Sequence, residues 1–507
     1  MNISKKCLFL LLLSCLTYWG CTPSIIDEGN EPPQNSFLAR SPWPMSHRNP
    51  YCQASSPYPG PKKEVPVKIE ILDGDPGIIT SVISGEYPDG NRVIWANNIK
   101  SVFKIYADGQ KFRYIARLNK EKELTISPKI ANQLSNLEKA KSGAYALIDS
   151  DNVFYMPYFT RIYALSDAKQ NDPYSAIAVK GEFEIPASAL HGNNDFIVGI
   201  NLTYDGMIAF ATSNGTIGVV SRSFEDPVLL YLGQEKISNS IAVCENNGIY
   251  IVTDKSIYRV QWTGIKLTQD TTQGAWRVAV ETGGDATGIR LGSGSGSTPT
   301  LMGKNNQDQF VVITDGQELM HLVFFWRNKI PDDWVLLKDC KDRRIAARIP
   351  VTFGDAKAEK SLSEQSVCVR GYGALVVNNL LKKDLGNPGQ NLLISGDPAV
   401  APYGAEKFEW DPADRVLVKC WVNREVSLPN GIPSLSISSR KIYGIGQRNG
   451  VWTIEAIDWD TGASYFTWPL GSGRRYNSAY SAAEIGYNKA LLCGILGGFL
   501  RLSSVSE

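Results

Sequence analysis

Short β-rich runs, each group opened by a pair of polar residues, recur along this chain and constrain its fold more than any other feature. The clearest group is Asn239–Val260, N-S-I-A-V-C-E-N-N-G-I-Y-I-V-T-D-K-S-I-Y-R-V. Its first apolar run, Ile241-Ala242-Val243, stops at the turn Glu245-Asn246-Asn247-Gly248. Ile249–Thr253 follows, and Asp254-Lys255-Ser256 then turns into Ile257–Val260. Runs of about five residues, rich in Val, Ile and Tyr and divided by Asn, Gly and Asp, are the mark of a β-meander.

Eight such groups can be followed. The first runs through Ile78-Ile79-Thr80, Arg92–Trp95, Val102–Tyr106 and Phe112–Leu118. The others open at Gly143, Phe196, Asn239, Ser297, Glu364, Ile432 and Asn477. Spacing of roughly 45 to 70 residues between short meanders matches the blades of a β-propeller, four-stranded sheets set around a central channel. The expected fold is therefore all-β, a propeller of eight four-stranded blades, with seven as the alternative count. The last group holds only three strands, Tyr480–Ile485, Ala490–Cys493 and Phe499–Leu502. The alternating segment Val65–Leu72 is expected to supply the fourth and clasp the ring shut. Two departures stand out. Ser127-Pro128 starts a helix pattern with Ile130, Leu134 and Leu137 on one face and Gly143 after its end. Asn378–Phe408, rich in Gly, Pro and Lys, is expected to overhang the ring.

Lys5-Lys6, the apolar run Cys7–Trp19 and then Gly20-Cys21 have the layout of an export signal, too short to span a bilayer comfortably. A small residue directly before a cysteine resembles a bacterial lipobox, in which that cysteine is acylated. Cys21 is the favoured lipidation site, with Cys15 after Leu12-Leu13-Ser14 and an ordinary secretory signal as alternatives. The residue after Cys21 is not Asp, which by resemblance to lipoproteins favours the outer membrane of the cell envelope. No later stretch is long and apolar enough for a membrane helix, so the lipid would be the membrane contact. The expected organisation is a signal peptide over 1–20, a flexible tether over 21–40, a Pro- and aromatic-rich strap over 41–64, and the propeller over 65–507. With 52 basic and 51 acidic residues the net charge is +1, so no global field draws nucleic acid. A monomer is expected, with an envelope protein, a small molecule or a glycan as partner.

The strap, S-P-W-P-M-S-H-R-N-P-Y-C-Q-A-S-S-P-Y-P-G-P over 41–61, cannot be helical, because its prolines fix φ and remove donors. Trp43, Met45, Tyr51 and Tyr58 point to a packed segment. The W-P-M-x-x-x-R-N pattern of Trp43–Asn49, followed by a full ring of blades, resembles the quinoprotein-alcohol-dehydrogenase-like propellers. N-S-I-A-V…G-I-Y-I-V-T-D-K-S-I-Y-R and G-S-G-S-T-P-T-L-M-G (Gly294–Gly303) look like a largely uncharacterised branch of secreted bacterial propeller proteins. Quinone-cofactor enzymes of that fold carry adjacent cysteines and regularly spaced tryptophan motifs. This sequence has neither, so pyrroloquinoline quinone is not an expected cofactor.

In a propeller the innermost strand of each blade lines the channel, so small polar residues belong at its start. Asn239, Ser240, Ser297, Thr298, Glu364, Gln365 and Asn477 occupy that place and are the candidate channel residues, together with His47 and Arg48 of the strap. A buried polar group without a partner would cost a few kcal/mol, so these residues are expected to face water, one another or a ligand. Glu364, Asn239 and Asn477 are oxygen donors of the kind calcium prefers, and calcium is the possible ion. Of the three histidines, His321 in L-M-H-L-V-F-F reads as structural and His191 as a turn residue. Gly292–Gly296 reads as a flexible lead-in to the fifth group, and no G-x-S-x-G elbow supports serine hydrolysis. The expected function is an exported, lipid-anchored propeller that binds a ligand or partner. A propeller enzyme is the alternative, either a calcium-dependent hydrolase or lactonase or a divergent oxidoreductase.

Overall fold

The repeating meanders form eight separate sheets arranged as a ring, in a computed structural model that describes residues 31–74, 77, 79–106, 111–125, 134–282, 295, 297–303 and 307–505. Blade 1 is Thr80–Ile83, Val93–Asn97, Ser101–Tyr106 and Arg113–Asn119, paired antiparallel in sequence order. Six further blades repeat this order, with inner strands beginning at Leu147, Ile197, Ala242, Thr300, Cys368 and Ser434. Blade 4 divides its outer strand in two, since Leu267–Thr268 and Trp276–Ala279 both pair with Ser256–Trp262. Blade 8 is Glu484–Ile485, Leu491–Ile495 and Gly498–Ser504, completed on the outside by Val67–Asp73. That clasp strand runs antiparallel to Gly498–Ser504, from Val67 opposite Ser504 to Asp73 opposite Gly498. The ring is closed as expected, by hydrogen bonds between the two ends of the propeller domain.

Three sequence expectations shift in detail. The eighth blade begins at Glu484, not Asn477, because Ala479 and Tyr480 take left-handed conformations (φ 45° and 70°) that no strand accommodates. The described helix before blade 2 is Asn136–Ser142, capped by Ser135 with a reciprocal Glu138 bond and ended at Gly143. Ser127, Pro128 and Ile130 lie outside the described residues, as do the export signal, Cys15, Cys21, and Gly292, Ser293, Gly294 and Gly296 of the glycine run. Ordered packing also begins before the expected end of the tether at Arg40. Asn35 donates from Nδ2 to the carbonyls of Leu202 (3.2 Å) and Thr203 (3.0 Å), and Leu38 is buried.

The strap fills one half of the channel. A propeller's inner strands leave one edge facing the axis, with N–H groups that need partners. Here the strap supplies carbonyls: Trp43 accepts from the Ile83 N–H (2.8 Å), Pro44 from Ile148 (2.8 Å) and Pro50 from Val243 (2.8 Å). Tyr51 accepts from Leu301 (2.9 Å), Gln53 from Val369 (3.0 Å) and Ala54 from Leu435 (2.9 Å). Blades 1, 2, 4, 5, 6 and 7 are thus tied to one segment, and Asn201 of blade 3 joins them, donating to the Pro50 carbonyl (3.1 Å). Proline suits this role, since it lacks a donor and the strap works here as an acceptor. His47, Arg48, Cys52 and Ala54 adopt left-handed backbone (φ 60°, 74°, 59° and 52°), which curls the segment around the axis. Each such residue costs about 1–2 kcal/mol, offset by the packing the curl permits.

That packing is interleaved with the blades. Trp43 enters the core between blades 8 and 1, with Ile83, Ile94, Leu492 and Phe499. Met45 and Leu38 enter the core between blades 2 and 3, Tyr51 and Cys52 that between 4 and 5, and Ala54 that between 6 and 7. Tyr51 is further held by its hydroxyl, which donates to Glu245, and by the fully buried Arg327 guanidinium 4.8 Å from its ring.

Candidate functional site: the hollow half of the channel

On the side where the inner strands begin, the channel remains open as a cavity of about 310 Å³. Its floor is the strap, through Trp43, Ser46 and His47. Among the described residues, two helices line it from the connections above: Asn136–Ser142 through Ala140 and Lys141, and Pro388–Ile394 through Gly389 and Leu392. The second helix belongs to the expected overhang of Asn378–Phe408. Its first turn is set by Asn387, which accepts from the Gln390 N–H (3.0 Å), and by Pro388 at the start. The walls are mostly apolar, with Ile79, Ile432, Ile495 and Leu496 among them. An apolar cavity with a few placed polar groups is the usual form of a small-molecule site.

The polar groups of the lining are His47, Lys141, Tyr145, Asn239, Glu364, Tyr480 and Glu484, with the hydroxyls of Ser46, Thr80, Ser238 and Ser366. His47 is 4% exposed, and neither of its ring nitrogens has a hydrogen-bond partner in the structure. Its ring lies 5.7 Å from that of Tyr145, tilted by 38°. Burial lowers the His47 pKa to about 4, which leaves it neutral near pH 7. Glu484 is pushed well above the usual carboxylate range by burial, which outweighs the Ser81 hydroxyl donating to it at 2.8 Å. Burial raises Tyr145 to about 12 and Tyr480 well above the ordinary tyrosine range, with the Glu364 charge adding to both. Lys141 is lowered by burial, against the pull of Glu364 and Glu138. Burial is the leading cause in every case, and Lys141, Tyr145 and Tyr480 are shifted to a lesser degree by Glu364. Glu364 is held by its own backbone N–H, which donates to Asn379 Oδ1 at 2.8 Å.

The nine candidate residues divide. His47, Asn239 and Glu364 line the cavity, although Asn239 also uses Nδ2 to hold the Ser295 carbonyl (3.2 Å). Arg48 points to the opposite face and pairs with Glu31, which also binds Arg370 at 2.6 Å. Ser240 packs against Gly199, where a Cβ would meet the Ser240 Cα at 2.6 Å. Ser297 bonds Ser295 Oγ (3.1 Å) and Thr314, and the Thr298 N–H donates to Ser366 (3.2 Å). Gln365 is buried outside the lining. Asn477 is a tether for the overhanging helix, donating from Nδ2 to the Leu392 carbonyl at 2.8 Å. Glu364 and Asn239 thus share the cavity wall, while Asn477 lies outside the lining and its Oδ1 accepts from the Ala479 N–H (2.8 Å), so the three oxygen donors considered for calcium do not share one wall. Tyr145, Lys141 and Tyr480 were not singled out from the sequence. Nothing local marks Tyr145 or Lys141, because their place depends on a helix in the connection between two blades. Of the other histidines, His191 stacks on Tyr231 at 3.6 Å, and His321 contacts Asp315 (3.1 Å) and Arg348 (3.2 Å).

The lining does not suit pyrroloquinoline quinone, a tricarboxylate. Among the described residues that line it, Lys141 is the one lysine or arginine, and burial already disfavours its charged form.

The chain forms a closed β-propeller of eight blades with a strap-filled channel, a fold shared with the quinohemoprotein alcohol dehydrogenases. The quinohemoprotein alcohol dehydrogenase of Comamonas testosteroni superposes with a TM-score of 0.55 at 13% identity, over 93% of this chain and 82% of that one. The quinohemoprotein alcohol dehydrogenase ADHIIG of Pseudomonas putida HK5 gives 0.52 at 11%, over 92% and 81%. At these identities the likeness is one of fold. No protein-family model matches the sequence. A protein of Archaeoglobus fulgidus described as uncharacterized is 43% identical over 484 residues, covering 93% of this chain and 89% of that protein. The chain belongs to the same family as that protein.

Proposed function

We propose that this protein is an exported, lipid-anchored propeller whose hollow half-channel binds a small molecule. The observation that supports this most directly is the 310 Å³ apolar cavity, floored by the strap and carrying a handful of convergent polar side chains. Export and anchoring rest on the sequence alone, on Lys5-Lys6, the apolar run and Gly20-Cys21.

The test is native mass spectrometry of protein taken from the envelope fraction, parent beside Leu392→Trp. The parent should carry a small-molecule adduct that the variant, with its cavity filled, lacks. An adduct of equal abundance on a folded Leu392→Trp variant would place binding elsewhere. For the anchor, Cys21→Ser should move the protein from membrane to soluble fraction, and unchanged retention with Cys15 intact would reject that site.

A further inference from the structure

His47 is strained and, unlike its neighbours, makes no side-chain hydrogen bond at all. Arg48 is committed to Glu31, and Asn49 donates to Gln53 Oε1 at 3.2 Å. The His47 side chain turns from the strap into the cavity beside Trp43 and Ser46, with left-handed backbone and both ring nitrogens lacking a partner. A buried polar group left unpaired is destabilising, and non-glycine residues in the left-handed region add to that. Nothing in the fold is held by this imidazole, so the compensation is sought from what enters the cavity.

The charges of the lining narrow the choice. Lys141 and Glu364 have opposite signs and attract each other. Glu484, buried and accepting from Ser81, is pushed by burial toward its neutral form. The cavity is close to neutral as a whole, so a charged ligand would lose its hydration without an uncommitted counter-charge. A neutral imidazole offers one N–H donor and one bare nitrogen acceptor. A hydroxyl, which both donates and accepts, answers either tautomer. The volume is at the low end of the range for ligand sites, about 300–1,000 Å³.

Building on the small-molecule reading above, we infer that the cavity takes an uncharged, largely apolar molecule bearing a hydroxyl or similar donor–acceptor group, and that His47 is the residue that recognises that group. The experiment is equilibrium dialysis of the full chain near pH 7 against 2-naphthol, naphthalene and 2-naphthoate. The parent should hold 2-naphthol about tenfold more tightly than naphthalene, the scale of one buried hydrogen bond, and 2-naphthoate most weakly. His47→Phe should bring 2-naphthol down to the level of naphthalene. His47→Asn, which tolerates the left-handed backbone and draws the polar atoms back toward the strap, should do the same if the Phe variant fails to fold. Leu392→Trp should weaken 2-naphthol and naphthalene together.

Equal parent affinities for 2-naphthol and naphthalene, or unchanged affinities in the His47 variants, would overturn the role of His47. The cavity reading would survive that result provided Leu392→Trp still lost both probes. Preference for 2-naphthoate would overturn the uncharged class. If no probe bound, or Leu392→Trp left binding intact, the cavity reading would fall and the inference with it.

Discussion

The two halves of one channel, built from the inner strands of the same eight blades, have opposite construction. In the filled half, the N–H groups of six inner strands meet strap carbonyls, and Trp43, Met45, Tyr51 and Ala54 enter interblade cores. In the hollow half, an unpaired imidazole, a buried carboxyl with a raised pKa and the left-handed pair Ala479-Tyr480 surround an apolar void. The difference separates a half packed by the strap from a half left open. One half ties the blades to a single segment, and the other leaves a void lined by a few buried polar side chains.

If the strap carries that burden, removing residues 41–61 should be the most damaging change. It would uncover inner-strand edges in most blades and empty several cores. Size-exclusion chromatography is expected to show aggregate in place of a monomer, and calorimetry no cooperative transition. A soluble deletion variant melting like the parent would break the comparison outright.

A single side chain should separate the halves more finely. Trp43→Ala, in the filled half and fully buried, should cost about 3–5 kcal/mol in urea unfolding. Leu392→Ala, on the cavity wall, should cost well under half of that, since its surroundings are already partly void. Equal losses would show that the hollow half is packed for stability after all.

Titration sharpens the contrast further. His47 has a folded pKa near 4 against an ordinary 6.5. The unfolded chain therefore binds more protons between those values, and stability falls as pH drops from 6.5 toward 4, by up to about 3 kcal/mol. His47→Asn should lack that acid-side loss. Glu484 acts in the reverse sense, because its folded pKa is raised. The native state binds more protons above pH 4.5, so stability declines as pH rises from there, at most about 1.4 kcal/mol per unit. Glu484→Gln should flatten that decline. Melting curves of parent and variants from pH 4 to 8 measure both slopes, and parallel parent and variant profiles would contradict the assignment.

The smallest expected effect is local. Asn477→Ala removes the amide that holds the Leu392 carbonyl and should cost about 1–2 kcal/mol. Limited proteolysis should then cut faster within 378–404 while the global melting temperature moves little. Unchanged proteolysis would mean that the overhang is held by other contacts.

How far this was readable from the sequence follows the range of the interactions involved. The meander of Asn239–Val260 is legible because turn residues and β-branched runs act within a few positions, and the structure forms its strands there. The clasp was legible because the eighth group lacks a strand and Val65–Leu72 alternates. The equivalence of Asn239, Glu364 and Asn477 was not reliable. All three precede or open a unit, yet the left-handed turn at Ala479-Tyr480 sends Asn477 to the overhanging helix. His47 and Arg48 are adjacent and polar, and only the curl of the strap turns one into the cavity and the other to the opposite face.

The sequence by itself determined the all-β class, the repeating units with eight favoured over seven, the closing strand and a proline-rich segment barred from helix, since each depends on local periodicity or a fixed φ. The tertiary structure alone decided that the strap fills half of the channel, and that His47, Lys141, Tyr145, Glu364, Tyr480 and Glu484 surround the other half. Those residues are separated by up to several hundred positions, and their meeting depends on closure of the whole ring. Burial then sets their charge states, because a carboxyl or imidazole takes its pKa from the surroundings that the fold assembles.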